Sequence, residues 1–285
     1  MTGTVLRIFL LLAIAYAVVL LLAWVFQNRL AFPGPSSPRS SPSDVGISEG
    51  ETVRMVTEDD VTLHGWFIPS NPSESPGPWV IWFYGNMETV HDLRSTIRWL
   101  RDSSTALLIV DYRGYGASEG QATEPGLYLD AEAAWTFMTK RPDIDAARVG
   151  VYGRSLGSAV ALYLATNRPV RALALDSPFS TGRDMARTHY PFVPGGLLRL
   201  ELDNLSRARQ LTIPLLVFHG TADIIAPIAM GEAIAAAGHA EELVRIDDAG
   251  HNDTYVLGGD AYRDRLHAFW RNYLKGDSTP RRRRE

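Results

Sequence analysis

The sequence predicts an α/β fold, in which helices cover a mostly parallel β-sheet. A single membrane-spanning helix is predicted to precede this domain in the chain. Short apolar runs rich in β-branched residues alternate with helix-like patterns from residue 51 onward. Near the N-terminus lies a long uncharged run, residues 8–26. A G-R-S-L-G pentapeptide at residues 153–157 falls between a strand-like and a helix-like run. In sheets of this kind ligands bind at the carboxyl ends of the strands, so chemistry is expected there.

The N-terminal run predicts a membrane anchor that covers residues 1–31. Residues 8–26 carry no charged side chain, and as a helix they extend about 28 Å, close to the hydrocarbon thickness of a bilayer. Arg7 and Arg29 bracket the run. The alternative is a cleaved signal peptide, whose apolar region is shorter and ends in small residues, whereas this run ends in the bulky sequence W-V-F-Q. The prediction is a single-pass membrane protein in contact with the lipid bilayer, and the nearly balanced flanking charges leave the side of the domain open.

Composition limits the function of the remaining chain. The 285 residues include 32 acidic and 28 basic side chains, and the net charge of −4 argues against a nucleic-acid-binding surface, which needs a clustered basic face. Because no cysteine is present, disulfides, a thiol nucleophile and cysteine-ligated metals are excluded. Residues 32–50, rich in Pro, Ser and Gly, are expected to form a flexible linker. Residues 51–275 are expected to form the folded domain, and residues 276–285 a disordered basic tail.

The domain begins with a predicted antiparallel hairpin, residues 52–57 and 61–68, on either side of an acidic turn. Buried strands are predicted from the apolar runs at residues 79–84, 106–110, 149–152, 172–175, 215–218 and 243–246. Helical spacing of apolar residues is clearest at 127–138 and 262–273. This alternation predicts parallel strands joined by helices.

The pentapeptide at 153–157 predicts a nucleophile elbow centred on Ser155. Alone the pattern is weak, since roughly one chain in ten of this length contains it by chance. Here a buried-strand run leads into it and a helical run follows, which is the context that a nucleophile elbow requires. The serine must adopt a strained backbone conformation, so its neighbours Gly153 and Gly157 need to be nearly free of side chains. The alternative is a glycine-rich turn that only packs a helix on a strand.

A serine hydroxyl needs a base to remove its proton, and the base needs a carboxylate to orient it. His251 is the predicted base, because it lies after the last strand-like run and before the last helix. Two aspartates compete for the role of the acid: Asp223 follows the run 215–218, and Asp176 ends the run before it. The glycine-containing turn before Asp223 favours Asp223 and leaves Asp176 as a structural residue at a strand end.

The tetrahedral intermediate of acyl transfer also needs hydrogen-bond donors for its oxyanion. The backbone N–H of Leu156, next to the predicted nucleophile, is one such donor. The second is expected from the loop after the run 79–84, at Asn86 or Met87.

Further motifs occur in a fixed order along the chain: Y-G-N at 84–86, D-Y-R-G-Y-G-A-S-E-G at 111–120, D-S-P-F at 176–179, F-H-G-T-A-D at 218–223 and G-H-N-D at 250–253. Together with the pentapeptide they resemble the membrane-anchored α/β-hydrolase-domain proteins of bacteria and eukaryotes, which include protein depalmitoylases and uncharacterised lipases. The likeness covers residues 25–275. It implies the α/β-hydrolase fold with a minimal cap, and Ser155 as nucleophile, Asp223 as acid and His251 as base.

The chain departs from this family pattern in one loop. The family usually has H-G-N-A-G where this chain has Y-G-N-M-E at residues 84–88. The loop that supplies the second oxyanion donor is therefore expected to differ in detail from that of the family.

The expected activity is hydrolysis of a carboxylic ester or thioester through a covalent acyl-Ser155 intermediate, without metal or cofactor. Between the run 172–175 and Leu211 the connection is too short for a full cap domain, and its uncharged part, residues 190–198, is apolar enough to line an acyl groove. The expected substrate is an acylated lipid or protein. Two alternatives stay open: an amidase or peptidase with the same triad, and a catalytically silent binding module tethered to the membrane.

Overall fold

A computed structural model describes residues 2–37, 40–71 and 76–275 of the chain. The strands are β1 Glu51–Val56, β2 Thr62–Ile68, β3 Gly77–Phe83, β4 Ala106–Val110, β5 Ile144–Arg154, β6 Ala172–Asp176, β7 Leu215–Gly220 and β8 Glu242–Ile246. The α-helices are α1 Thr2–Ala31, α2 Arg94–Leu100, α3 Glu124–Thr139, α4 Leu156–Asn167, α5 Gly182–His189, α6 Asn204–Ala208, α7 Ile228–Ala237 and α8 Thr254–Trp270. The predicted basic tail, residues 276–285, lies outside the described residues.

The strands form one eight-stranded sheet in the order β1-β2-β4-β3-β5-β6-β7-β8. β1 and β2 form an antiparallel hairpin, and β2 also pairs antiparallel with β4. Every other neighbouring pair, from β4–β3 to β7–β8, is parallel. β3, β4, β6 and β7 are buried along their whole length, which explains why their sequences are continuously apolar rather than alternating. The predicted α/β fold is confirmed.

β5 delivers the pentapeptide to the middle of the sheet. It begins at Ile144, earlier than the apolar run at 149–152 predicts, and continues to Arg154. It pairs in parallel with β3 on one side and β6 on the other. The chain therefore leaves the carboxyl edge of the sheet at its centre, directly before Ser155.

The described part of the segment between α1 and β1, residues 32–37 and 40–50, packs against the domain instead of extending freely from it. Phe32 and Ile47 are buried in the core. The indole N–H of Trp66 donates to a backbone carbonyl of this segment at 2.9 Å. The Pro- and Ser-rich composition that predicts a flexible linker is outweighed by these apolar side chains, because burying each of them stabilises the packed arrangement.

α1 contains the predicted membrane anchor and, by length and composition, is able to cross a bilayer. Most of its apolar side chains are exposed. Its C-terminal half lies against the domain at several points. The hydroxyl of Tyr16 donates to the carbonyl oxygen of Phe192 at 2.6 Å, and the side-chain oxygen of Gln27 accepts the backbone N–H of Arg199 at 2.7 Å.

Candidate active site

The turn between β5 and α4 holds Ser155 in a strained conformation. Its φ and ψ are 50° and −115°, a region that residues other than glycine rarely occupy. The backbone N–H of Ser155 donates to the carbonyl of Asp176 at 2.9 Å. Close packing requires both flanking glycines. A Cβ at Gly153 would lie 2.5 Å from the carbonyl oxygen of Gly157, and a Cβ at Gly157 would lie 2.1 Å from that of Phe83.

Ser155, His251 and Asp223 form a continuous hydrogen-bonded chain at the carboxyl edge of the sheet. Ser155 Oγ lies 2.7 Å from His251 Nε2, and His251 Nδ1 lies 2.7 Å from Asp223 Oδ2. The fold thus brings into contact a serine and a histidine that are 96 positions apart in the sequence. Ser155 is half-buried, whereas His251 and Asp223 are buried. A substrate can therefore reach the hydroxyl while the protein shields the two residues behind it from water.

Asp223 is held by donors on both carboxylate oxygens. Oδ1 accepts the backbone N–H groups of Ile225 and Ala226, at 2.9 and 2.8 Å. Oδ2 accepts from His251 and lies 3.3 Å from Nε2 of the buried His219. Burial raises the pKa of Asp223, but the hydrogen bonds from His219 and His251 outweigh burial and hold this pKa below its ordinary range. Asp223 is therefore ionised at neutral pH and oriented toward His251.

Asp176, the other candidate acid, bonds hydroxyl groups instead of a histidine. Its Oδ2 accepts from Thr254 at 2.7 Å, from Tyr262 at 3.1 Å and from Tyr152 at 3.3 Å. It is completely buried, and within residues 2–37, 40–71 and 76–275 no hydrogen bond joins its carboxylate to a histidine. The geometry distinguishes the two aspartates that compete in the sequence and places Asp223 beside the histidine.

The loop after β3 and the start of α4 both lie next to Ser155. A Cβ at Gly85 would lie 3.5 Å from that of Ser155, so the loop after β3 touches the elbow. Leu156 is the first residue of α4, so its N–H has no acceptor one turn earlier in the helix. Among the described residues no backbone acceptor binds the N–H of Asn86, whereas the N–H of Met87 donates to Asn86 Oδ1 at 3.1 Å. This arrangement favours Leu156 and Asn86 over Met87 as oxyanion donors.

The side chain of Asn86 is engaged elsewhere. Its Nδ2 donates to the carbonyl oxygen of Ala31, the last residue of α1, at 2.7 Å. Its Oδ1 accepts from the hydroxyl of Tyr115 at 2.5 Å. Asn86 thus ties the loop after β3 both to α1 and to the loop after β4. Its backbone N–H is therefore the proposed oxyanion donor, while both polar atoms of its side chain hold the loop in place.

Comparisons with known proteins decide the family. No protein-family model matches the sequence. The chain is 35% identical to an uncharacterized protein of Mycobacterium tuberculosis, over 91% of this chain and 92% of that protein. It is 32% identical to the α/β-hydrolase domain-containing protein WAV2 of Arabidopsis thaliana, over 83% of this chain and 85% of that protein. The chain belongs to the α/β-hydrolase superfamily.

Solved structures show the same α/β-hydrolase fold. An esterase of Pyrococcus furiosus superposes with a TM-score of 0.69 at 22% identity, over 85% of this chain and 99% of that one. A puromycin-hydrolyzing peptidase of Mycobacterium tuberculosis superposes with a TM-score of 0.66 at 18% identity, over 81% of this chain and 40% of that one. One fold therefore carries esterases and peptidases, and the choice between these activities rests on the site.

Tyr84, at the position where the family pattern that the sequence resembles has His, is a core residue in this chain. Its side chain is completely buried, and its hydroxyl donates to Asp111 Oδ1 at 2.8 Å. Burial, together with the neighbouring Asp111 charge, raises the pKa of Tyr84 well above its ordinary value. The hydroxyl therefore stays protonated and donates to the carboxylate of Asp111, which directly follows β4.

Glu88, at the position where the family pattern that the sequence resembles has Gly, pairs with Arg154 of the pentapeptide. Glu88 Oε1 lies 2.6 Å from Arg154 Nη1, and Glu88 Oε2 accepts the N–H of Gly85 at 2.8 Å. Arg154 also donates to the carbonyl of His251 at 3.1 Å and to Asn252 Oδ1 at 2.8 Å. One buried guanidinium thus joins the loop after β3, the elbow and the histidine loop. The sequence patterns single out neither member of the pair, although opposite charges at variable positions of two motifs were an available signal.

Proposed function

We propose that the protein is a serine hydrolase that cleaves carboxylic ester or thioester bonds. In this proposal Ser155 is the nucleophile and His251 is the general base and general acid. Asp223 is the ionised carboxylate that orients the histidine. The observation that carries it is the unbroken chain of two 2.7 Å contacts from Ser155 Oγ through His251 to Asp223 Oδ2. Esterases that share the fold are in keeping with it.

The direction of the hydrogen bonds defines the proton transfer. Because Asp223 accepts at Oδ2, the Nδ1 of His251 carries the hydrogen and Nε2 presents a lone pair to Ser155 Oγ. Nε2 removes the hydroxyl proton as Oγ bonds to the carbonyl carbon of the substrate, whose oxygen becomes an oxyanion. The negative charge of Asp223 stabilises the imidazolium that forms.

The backbone amides of Leu156 and Asn86 are proposed to bind this oxyanion. Leu156 begins α4, so the partial positive charge of the helix N-terminus adds to its hydrogen bond. Loss of one such donor typically costs about 2.7–4 kcal/mol of transition-state stabilisation. The contacts of Asn86 with Ala31 and Tyr115 hold the second donor in place before the substrate binds.

The intermediate then collapses. His251 returns its proton to the leaving alcohol or thiol, which departs and leaves the acyl group esterified to Ser155. Water, deprotonated by His251, attacks this ester, and a second oxyanion intermediate releases the carboxylic acid and restores the serine. The sum of the two halves is hydrolysis of one ester or thioester bond by one water molecule.

The substrate is proposed to be an acyl chain presented by a membrane, on a lipid or on a protein. α1 is able to cross a bilayer by length and composition, and the loops around Ser155 carry exposed apolar side chains. Met87 lies in the loop after β3, Ile224 follows Asp223, and Val256 lies near the start of α8. Exposed apolar groups around a polar reaction centre suit a long-chain acyl group.

Labelling with a fluorophosphonate probe tests the proposal on the full-length protein in detergent. The wild type and the control Ser206→Ala, which removes a hydroxyl on α6, are expected to be labelled and to hydrolyse short p-nitrophenyl esters. Ser155→Ala is expected to show the same circular dichroism but neither labelling nor turnover. Labelling of folded Ser155→Ala would overturn the assignment of the nucleophile. If none of the three proteins reacts, the silent binding module is favoured.

A further inference from the structure

The contacts of α1 with the domain limit how far the domain can lie from the membrane. The domain contacts α1 at Tyr16 and again at Trp24, Gln27 and Ala31. The part of α1 before Tyr16 extends only about 21 Å, while the hydrocarbon core of a bilayer is about 30 Å thick. If α1 crosses the bilayer, the hydrocarbon core therefore also surrounds the part of α1 that follows Tyr16, where the domain contacts the helix.

The domain surface that meets α1 nearest to its N-terminus is the loop of residues 190–198. The hydroxyl of Tyr16 donates to the carbonyl oxygen of Phe192 in this loop at 2.6 Å. No residue of the loop is charged, and the side chains of Tyr190 and Phe192 are each 56% exposed. Large apolar side chains that are half exposed to water in a folded domain indicate a surface that another apolar phase covers.

Arg199 marks the level at which the membrane interface lies. It directly follows loop 190–198, its guanidinium lies 4.6 Å from the ring of Trp24, and its Nη2 donates to the Trp24 carbonyl at 2.9 Å. Trp and Arg side chains near the end of a membrane helix favour the interface between hydrocarbon and water. Tyr16 lies eight positions before Trp24, about 12 Å deeper along the helix, and Phe192 lies beside it.

The backbone of loop 190–198 finds part of its hydrogen-bond partners within the protein. Irregular backbone is tolerated at membrane depth only where its polar groups find partners within the protein. Pro191 and Pro194 have no N–H to satisfy. The loop N–H groups of Tyr190, Val193, Leu197 and Leu198 donate to nearby carbonyls, whereas among the described residues no backbone acceptor binds those of Phe192, Gly195 and Gly196. The carbonyl oxygen of Phe192 accepts from Tyr16, so α1 itself satisfies a polar group of the loop.

We propose that loop 190–198 lies inside the lipid leaflet, packed on α1, and that acyl chains pass from this leaflet to Ser155 without crossing water. His189, which directly precedes loop 190–198, contacts the loop that holds Asp223: its Nε2 lies 2.8 Å from the carbonyl oxygen of Ile225. Ile225 in turn donates its N–H to Asp223. The proposal narrows the substrate of the proposed hydrolase to acyl chains that reside in the bilayer. It rests on the proposed function, and in particular on α1 as a membrane anchor.

Spin labels on single cysteines test the depth of the loop directly. The chain contains no cysteine, so Phe192→Cys, Val19→Cys in α1 and the control Val56→Cys on β1 each carry one label on the full-length protein. In phosphatidylcholine vesicles, label 192 is expected to resemble label 19, with high accessibility to oxygen and low accessibility to a polar nickel chelate. Label 56, on a residue that is 63% exposed, is expected to show the opposite preference.

Each outcome has a distinct meaning. If label 19 lies in hydrocarbon but label 192 resembles label 56, insertion of the loop is overturned and the anchor stands. If label 19 is also aqueous, both the anchor and the insertion fail. Fluorophosphonate labelling of the same samples reports separately on Ser155, so failure of the hydrolase assignment is recognised independently.

A measurement of turnover tests the same proposal independently of the spin labels. Phe192→Asp is expected to lower the ratio of turnover on a vesicle-embedded long-chain ester to turnover on a short soluble ester by about tenfold or more, because a carboxylate is strongly disfavoured in hydrocarbon. Phe192→Leu, which keeps the loop apolar, is expected to preserve the ratio. An unchanged ratio in Phe192→Asp would contradict delivery of the substrate through the leaflet.

Discussion

Asp176 and Asp223 belong to neighbouring strands and are both buried, yet their surroundings differ in kind. Asp176, the last residue of β6, accepts hydrogen bonds from hydroxyl groups such as that of Thr254. Asp223, just beyond β7, accepts from the imidazole of His251. A hydroxyl keeps its proton across the physiological pH range, whereas an imidazole exchanges its proton near neutral pH. Burial therefore does not distinguish the two aspartates as candidates for the proposed triad, whereas the contact of Asp223 with an imidazole does.

The largest expected difference between the two aspartates is in turnover. Asp223→Asn removes the charge that stabilises the His251 imidazolium and the acceptor that selects its tautomer, so kcat is expected to fall by about 10⁴-fold. The variant is expected to remain folded by circular dichroism. Steady-state kinetics on a short p-nitrophenyl ester provide the measurement. A kcat close to that of the wild type would remove Asp223 from the proposed triad.

Asp176→Asn is expected to affect stability instead. The amide replaces one carboxylate oxygen by a donor, which faces the hydroxyl groups of Thr254 and Tyr262. Loss of charged-acceptor hydrogen bonds of this kind is expected to lower the free energy of unfolding by about 2–3 kcal/mol, with kcat near the wild-type value. Urea unfolding of the full-length protein in detergent measures the first quantity. An exchange of phenotypes between the two variants would assign the acid role to Asp176.

The pH dependence of stability sharpens the same comparison. The pKa of Asp223 lies below its ordinary range, because the hydrogen bonds from His219 and His251 outweigh burial. The carboxylate thus stabilises the folded state above about pH 3.9, its ordinary unfolded pKa, and this stabilisation is lost as the pH falls from there toward the folded pKa. The difference in unfolding free energy between wild type and Asp223→Asn is expected to be constant from pH 5 to 7 and to shrink below pH 4. Unfolding curves recorded at each pH test this, and a constant difference down to pH 3 would contradict it.

The smallest effect is expected from Thr254→Val, which removes one donor to Asp176 with little change in side-chain shape. Thr254 is completely buried and lies three positions after His251. The unfolding free energy is expected to decrease by about 1.5 kcal/mol, with kcat and KM unchanged. A lower kcat at unchanged stability would show that the hydroxyl network around Asp176 also positions the histidine.

The sequence predicts the fold well because its determinants are local. Apolar runs identify every strand of the sheet, and the elbow is visible in one pentapeptide at 153–157. Order along the chain also narrows the choice of base to His251. The turn before Asp223 favours it over Asp176 as the acid, but the sequence separates the two only weakly, because both follow buried strands and a sequence shows no hydrogen-bond partners. Only the packed structure shows which of the two carboxylates contacts the imidazole.

Long-range contacts explain what the sequence could not predict. Glu88 departs from the family pattern, and its partner Arg154 is 66 positions away, so no local pattern joins them. Asn86 and Ala31 are likewise 55 positions apart. The segment at 32–50 has the composition of a linker, but its few apolar side chains find sites on the domain surface. The composition of such a segment predicts its average behaviour, whereas its packing on the domain depends on a few apolar side chains.

The hydrogen bond from Asn86 to Ala31 gives α1 a second role. The last carbonyl groups of a helix have no partner within the helix, and the carbonyl of Ala31 accepts a hydrogen bond from the side chain of Asn86, whose backbone N–H is the proposed oxyanion donor. A domain released by proteolytic cleavage between residues 32 and 50 would lose this support, and the side chain of Asn86 would keep its contacts with Tyr115 and Met87 but not the one with α1. Release of the domain is therefore expected to lower the proposed hydrolase activity as well as to relocate the domain, which would confine that activity to a membrane in which α1 is inserted.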